Sequence, residues 1–524
     1  MLKRFTNLRL FGASPDNAGE HWFDEFWVDE LGCVCAPAPE AQHQVFDLEG
    51  AVVLPAFADR HAHPVLAGRE LLSANITDAT SVADIVSRLK AFLAANPNAE
   101  SIVAGAYDRS LAPQGRFEAA WLDEVSTILP IVLHANDHHT IWVNSAALRL
   151  AGLIGDGERP LNLPVLDFGS IDVDQHGRAT GVLREDQAKQ LVLERLSKPS
   201  RQINLQALLA AQEQLLAWGI THVTDAYVDD DIALAYFDAL ANDELDVSFD
   251  LLVGTTPESL SSQVAQATKW QAEFARLAQS HVRVTGLKVF ADGVLGSASA
   301  AVRESYLDAS GEPTGNHGDL LWSDHELAEA LSAAKDNALE VHIHAIGDAA
   351  IEQVLRVTKT AIEKPRITVA HAELADKAQL AKLAQLGFRL NFQPLWARPD
   401  AMMHSCASAL GPERTNTLYR HRSALEAGLE VEFGSDWPVS DANPMLGIYT
   451  AVFRQLPDSS ETHNPAEALS LTQALCAYRA SDLALGSRAD FCALDADVIN
   501  DHTLLAGAKV TQTFIGGQPK LTRQ

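Results

Sequence analysis

Positive charge is scarce in this chain. Among 524 residues, Lys and Arg total 40 against 69 Asp and Glu, a formal net charge of -29. A field that acidic repels nucleic acid and anionic lipid over the general surface, while leaving room for a local basic pocket. No apolar run approaches the ~18 residues that a membrane helix needs. The opening MLKRFTNLRLFG has early basic residues but no sustained apolar stretch behind them, so no secretory signal is expected there. There are five cysteines, Cys33, Cys35, Cys406, Cys476 and Cys492. An odd count in a chain this long does not suggest a disulfide framework. Cys33 and Cys35, in GCVCAP, are too close for a zinc knuckle and read as strand residues in a reduced compartment. Low-complexity tracts and solenoid-type repeats are also missing. What remains is an ordinary globular composition, 47% hydrophobic and 21% charged. The expectation is a cytoplasmic protein whose partner is a small molecule, not a nucleic acid or a membrane.

What the chain does contain is an alternation. Short β-rich apolar runs are each followed by a Gly, Asp or His cluster and then an Ala/Leu-rich amphipathic stretch, such as SDHELAEALSAAKDNA. Such alternation implies parallel strands joined by right-handed helical crossovers. The strand candidates are AVVLPAFAD, GITHVTDA from Gly219, LDVSFDLLVG from Leu245, VTGLKVFADG from Val284, LEVHIHAIGD from Leu339, RITVAHAE from Arg366, GFRLNFQP from Gly387 and LEVEFGSDWP from Leu429. Eight such units predict an α/β fold, a closed (β/α)8 TIM-like barrel over residues 56–479. Residues 65–201 separate the first strand from the second by far more than a βα connection, and read as an inserted subdomain. Residues 1–55 and 480–524 have the alternating, turn-bounded look of antiparallel strands, as in GSRADFCALDADV and VTQTFIGGQPK. The two ends are expected to pair into a small flanking β-sandwich.

In a barrel of this kind the site lies at the C-terminal ends of the strands. His61 and His63, in ADRHAHP, share one strand face at i and i+2 and can chelate one metal ion, although lone HxH pairs are common in cores. His344 and His371 lie at two further strand ends, and each alone could be a hydrogen-bonded core histidine. His342 shares the face of His344, which lies nearer the C-terminal end. Asp436, in EFGSDWP, could cap a helix, ligate a metal or act as a general base. Lys288 sits inside the apolar run GLKVFADG. A salt bridge would explain it, and so would a neutral amine able to react with carbon dioxide, giving a carbamate that bridges two metals. Six separate coincidences are a poorer account of these residues than one shared metal centre.

Taken in order, PAFADRHAHP, TIWVNSAAL, GRATGVLRE, GITHVTDA, GLKVFADGVLGS, VHIHAIGDAA, RITVAHAE, NFQP and FGSDWPV resemble the amidohydrolase superfamily of metal-dependent hydrolases. The closest likeness is to its YtcJ-like and N-substituted formamide deformylase-like members. The resemblance spans nearly the whole chain. It implies a distorted barrel with a flanking β-sandwich, and one or two divalent ions, usually zinc. Carried over by residue, the metal set is His61, His63, Lys288, His344, His371 and Asp436, with Lys288 matching the lysine that is carboxylated in binuclear members. His139, in NDHHTIWVNS, matches a histidine of the insert placed to reach the site, and its neighbour His138 stands where glycine is frequent. Asp292, Gln393 and Arg414 are candidates for the pocket wall, and Glu185 reads as structural. PAF replaces the common PGF. The implied reaction is hydrolysis of a C–N bond in an amide-like, N-acyl or N-formyl, small molecule, with Asp436 moving the proton. A deaminase or an ester hydrolase on the same scaffold is the alternative. A non-catalytic scaffold is disfavoured because every matched ligand is present. A homodimer is compatible with the resemblance.

Overall fold

Eight parallel strands pair in chain order. They are Phe57–Ala62, Ile220–Val228, Ser248–Thr255, Val282–Phe290, Glu340–Ala345, Ile367–His371, Arg389–Phe392 and Glu430–Phe433, and they are called the first to eighth barrel strands below. The eighth returns to the first through a parallel bridge between Ala62 and Trp437 and through Asp436 N–H to the His61 carbonyl at 2.6 Å. This computed structural model describes residues 1–14, 17–135, 139–155, 163–166, 169–277, 281–359 and 364–522. The chain divides into two units, one of Met1–His63 with Gln212–Gln524 and one of Pro64–Ala211.

The helices between barrel strands begin on local capping signals. Ser323 caps Asp324–Asp336 and completes a capping box with Glu326. Asp376 and Gln379 do the same for Lys377–Gln385. Leu327, Ala330, Leu331 and Ala334 supply the buried stripe of the first of these helices, at the spacing that lays a helix on a sheet.

The first strand differs from its expected extent. AVVLP belongs to His43–Pro55, which pairs in parallel with Leu2–Ser14 and antiparallel with Phe491–Leu494. Only Phe57–Ala62 enters the barrel. The switch lies at Ala56: its N–H goes to the Asp490 carbonyl at 3.0 Å, and that of Phe57 to the Gly219 carbonyl at 2.9 Å. An unbroken apolar run carries no periodic mark of such a change of sheet.

The two chain ends are joined in one mixed seven-stranded sheet. Its order is Gln518–Thr522, Val510–Ile515, Phe491–Leu494, His43–Pro55, Leu2–Ser14, Asn17–Val28 and Val34–Cys35. Phenylalanines form its core. Phe5 stacks on Phe26 at 5.0 Å between centroids, and Phe491 on Phe514 at 4.4 Å.

The second unit carries its own five-stranded sheet, ordered Ile102–Tyr107, Ile131–Ala135, Thr140–Val143, Ala179–Arg184 and Ser170–Val173. Tyr107, Phe117 and Trp142 anchor one hydrophobic cluster, and Ile141, Leu148 and Leu183 belong to another. Among the described residues no helix is long and apolar enough to cross a membrane.

Candidate metal centre

The first strand delivers His61 and His63 to the barrel's C-terminal end, and the turn after the eighth delivers Asp436. Asp436 Oδ1 lies 3.0 Å from His63 Nε2 and 3.4 Å from His61 Nε2. One ligand atom from each of these residues falls within 4.8 Å of the other two. The strand ends are braced by Asp59, which accepts from Ser435 N–H at 2.9 Å, from the Ser435 hydroxyl and from His61 N–H at 3.2 Å. Gly434 is required here. A Cβ on it would sit 2.6 Å from His61 N, so only glycine lets the two strands approach. Asp436, His371 and Ala372 occupy the left-handed region at φ 59°, 71° and 44°. Such a concentration of strained backbone is common at functional sites.

Electrostatics prepares the donors. Burial, then the nearby Lys288, hold His61 well below the usual imidazole range, so it is neutral. Burial alone would raise Asp436. The hydrogen bond and charge of His63, followed by His371 and Lys288, outweigh it and hold the carboxyl below its ordinary range. A neutral imidazole and an ionised carboxylate are the forms a divalent cation binds, so the residues fit a metal ion.

Lys288, on the fourth strand, is 1% exposed, and its Nζ lies 3.1 Å from His61 Nε2. Burial lowers it to about 7, opposed by Asp436. His342 Nε2 faces His61 Nδ1 at 3.0 Å. The His344 and His371 rings stand beside this group, 4.5 Å apart between centroids, with His371 4.8 Å from His61. His344 Nε2 lies 3.0 Å from the Gly293 carbonyl and 3.7 Å from Asp292 Oδ1. His371 stacks on Trp396 at 6°, and its Nδ1 lies 2.7 Å from Gln393 Oε1. Gln393 in turn donates to Asn391 Oδ1 at 2.7 Å, which sets the direction of its amide. The His371 proton is thereby assigned to Nδ1, and Nε2 is left as a lone pair.

The remaining candidates are distributed differently. Asp292 accepts from the backbone N–H groups of Ile346, Gly347 and Ala301, while burial raises it to about 7. Arg414 donates to the carbonyls of Leu410, Glu304 and Ser305 at 2.7–2.8 Å, so its guanidinium braces a loop. His139 belongs to the second unit, where its Nδ1 stands 2.9 Å from Glu185 Oε2. His138 lies outside the described residues.

Two neighbours escaped the sequence reading. Asp225 ends the apolar part of the second strand, with Oδ1 4.0 Å from His63 Nδ1 and Oδ2 accepting from Tyr236 at 2.8 Å. Asp59 precedes His61 by two residues. Asp225 had the strand-end signal used to select the histidines, whereas Asp59 lies inside its strand and is marked only by its contact with Ser435.

An amidohydrolase family model matches residues 44–519. The chain is 28% identical to YtcJ of Bacillus subtilis, covering 92% of this chain and 90% of that one. It is 24% identical to the N-substituted formamide deformylase of Arthrobacter pascens, covering 92% and 90%. Among solved structures, an uncharacterised metal-dependent hydrolase of Pyrococcus furiosus superposes with a TM-score of 0.71 at 23% identity, covering 95% of this chain and 99% of that one.

Proposed function

The chain belongs to the amidohydrolase family, and from that premise we propose that it is a metal-dependent hydrolase of C–N bonds in amide-like, N-acyl or N-formyl, small molecules. The observation that carries this reading is the convergence of His61, His63 and Asp436 donor atoms within 4.8 Å. His61 and His63 would hold the ion, with His344, His371 and Asp436 completing its surroundings. What a divalent ion supplies there when bound is Lewis acidity, which polarises a carbonyl and acidifies water.

The residues do the rest. Asp436 accepts the proton of the attacking water at a carboxylate oxygen and passes it to the leaving nitrogen. The lone pair at His371 Nε2 faces the site as an acceptor, because Gln393 holds the proton at Nδ1. Burial keeps a large share of Lys288 as the free amine near neutral pH. That is the form that adds carbon dioxide to give a carbamate, and a carboxylated Lys288 would bridge a second ion. Zinc suits imidazole and carboxylate donors. The deformylase relative supports an N-formyl or N-acyl substrate by its name.

Metal analysis combined with electron density at Lys288 tests the centre. Two ions and a carbamate are expected, whereas one ion and an unmodified lysine would favour a deaminase-like reaction. A screen over N-acyl and N-formyl amines tests the bond cleaved.

A further inference from the structure

A polar pocket opens at the end of the barrel away from the candidate metal centre. Barrel interiors are ordinarily filled by layers of branched apolar side chains. Here a cavity of about 420 Å³ lies toward the N-terminal ends of the strands, and Thr224, Thr285 and Thr368 of the second, fourth and sixth strands line it together with His342. None of these threonine hydroxyls has a protein hydrogen-bond partner among the described residues. Around them runs a ring of ion pairs. Arg283 meets Asp250 at 2.7 Å, and Arg389 meets Glu340 at 2.6 Å and Glu432 at 3.2 Å. A polar space of this size is suited to water.

His342 stands between this cavity and the metal centre. Its Nε2 is 3.0 Å from His61 Nδ1, while His61 Nε2 points to Lys288 and Asp436. These contacts allow two proton arrangements. If His342 carries its proton on Nε2, that proton is donated to His61 Nδ1, and the His61 proton sits on Nε2, where it blocks coordination. If the His61 proton is on Nδ1, it is donated to His342 Nε2, and His61 Nε2 is free as a ligand. The second arrangement puts the His342 proton on Nδ1, which has no protein partner among the described residues. Water entering the cavity that His342 lines can accept it.

We propose that His342 is a positioning residue that fixes His61 as an Nε2 ligand, and that water in the cavity beneath it accommodates this tautomer by accepting the His342 Nδ1 proton. The inference rests on the reading of His61 as a metal ligand. Partners that orient a ligating histidine typically contribute 10- to 100-fold to metal affinity.

The test is chelator competition for zinc with the full-length protein. His342→Phe keeps the ring and removes both nitrogens, and is expected to weaken zinc binding about 10- to 100-fold. His342→Gln can accept from His61 Nδ1 through Oε1 and is expected to recover most of the loss. The double substitution Thr285→Val, Thr368→Val touches no ligand but dries the cavity, and should also weaken binding. Circular dichroism confirms that each variant is folded. Normal zinc binding by the wild type with unchanged affinity in His342→Phe overturns the inference alone, as does full affinity in the threonine double variant. A wild-type protein that binds no divalent ion overturns the metal-centre reading, and the inference with it.

Discussion

At the scale of the residue, burial decides protonation and neighbours decide whether it prevails. Asp436 is buried yet held ionised by His63, His371 and Lys288. Asp436→Asn keeps the shape and removes the base. Turnover should fall ~10²- to 10⁴-fold with the far-ultraviolet spectrum unchanged, and full activity in this variant would refute the mechanism. Glu70, in the second unit, shows the opposite outcome, because burial pushes its carboxyl up to about 8 from an ordinary 4.5. Below pH 4.5 the group is neutral both folded and unfolded. Between 4.5 and about 8 the unfolded chain has released a proton that the folded chain retains, so stability declines as pH rises, by up to about 1.4 kcal/mol per pH unit. Above that range the penalty is constant. Glu70→Gln should flatten this slope in urea melts taken across the window. A slope that persists unchanged would show that another group causes it.

At the scale of the element, the centre depends on how closely the first and eighth strands approach. Gly434 leaves no room for a Cβ against His61. Gly434→Ala should therefore displace His61 relative to Asp436, with metal content falling more than the melting temperature. Equal metal occupancy by elemental analysis would argue against this coupling. Asp59 clamps the same junction through Ser435 and His61, and burial raises its carboxyl to about 6. The eight strands were legible because each combined an apolar run with a polar strand end. The end of the terminal sheet and the start of the barrel were not, because residues 51–58 form one apolar run whose strand partners lie far away in sequence.

At the scale of the molecule, two features invite measurement. The terminal sheet is closed by residues from both ends, and Phe491 sits at its centre against Phe5, Phe26 and Phe514. Phe491→Ala should cost about 3–5 kcal/mol, seen as a shifted urea midpoint, and a loss under 1 kcal/mol would mean that the sheet is not integral to the first unit's stability. The net charge of -29 implies self-repulsion in the folded state. Raising salt from about 10 mM to about 150 mM shortens the screening length from about 30 Å to about 8 Å. The metal-free protein should melt at a higher temperature at the higher salt, and a lowered one would mean that attractive pairs dominate its field.

The sequence alone determined the strand order and nominated the residues that stand at the strand ends, because apolar periodicity and strand-end polarity are local properties of a chain. The three-dimensional arrangement decided what those residues do to one another. His342 was set aside in favour of His344, nearer the strand end, until its Nε2 was found against His61 Nδ1. That the Arg414 guanidinium braces three backbone carbonyls showed only once the loop was folded around it. Asp59 carried no message until Ser435, 376 positions away, closed on it. Ring tautomers, the ionisation of a buried carboxyl and the single glycine that lets two strands meet all depend on atoms brought together by folding across hundreds of residues, and no local pattern records them.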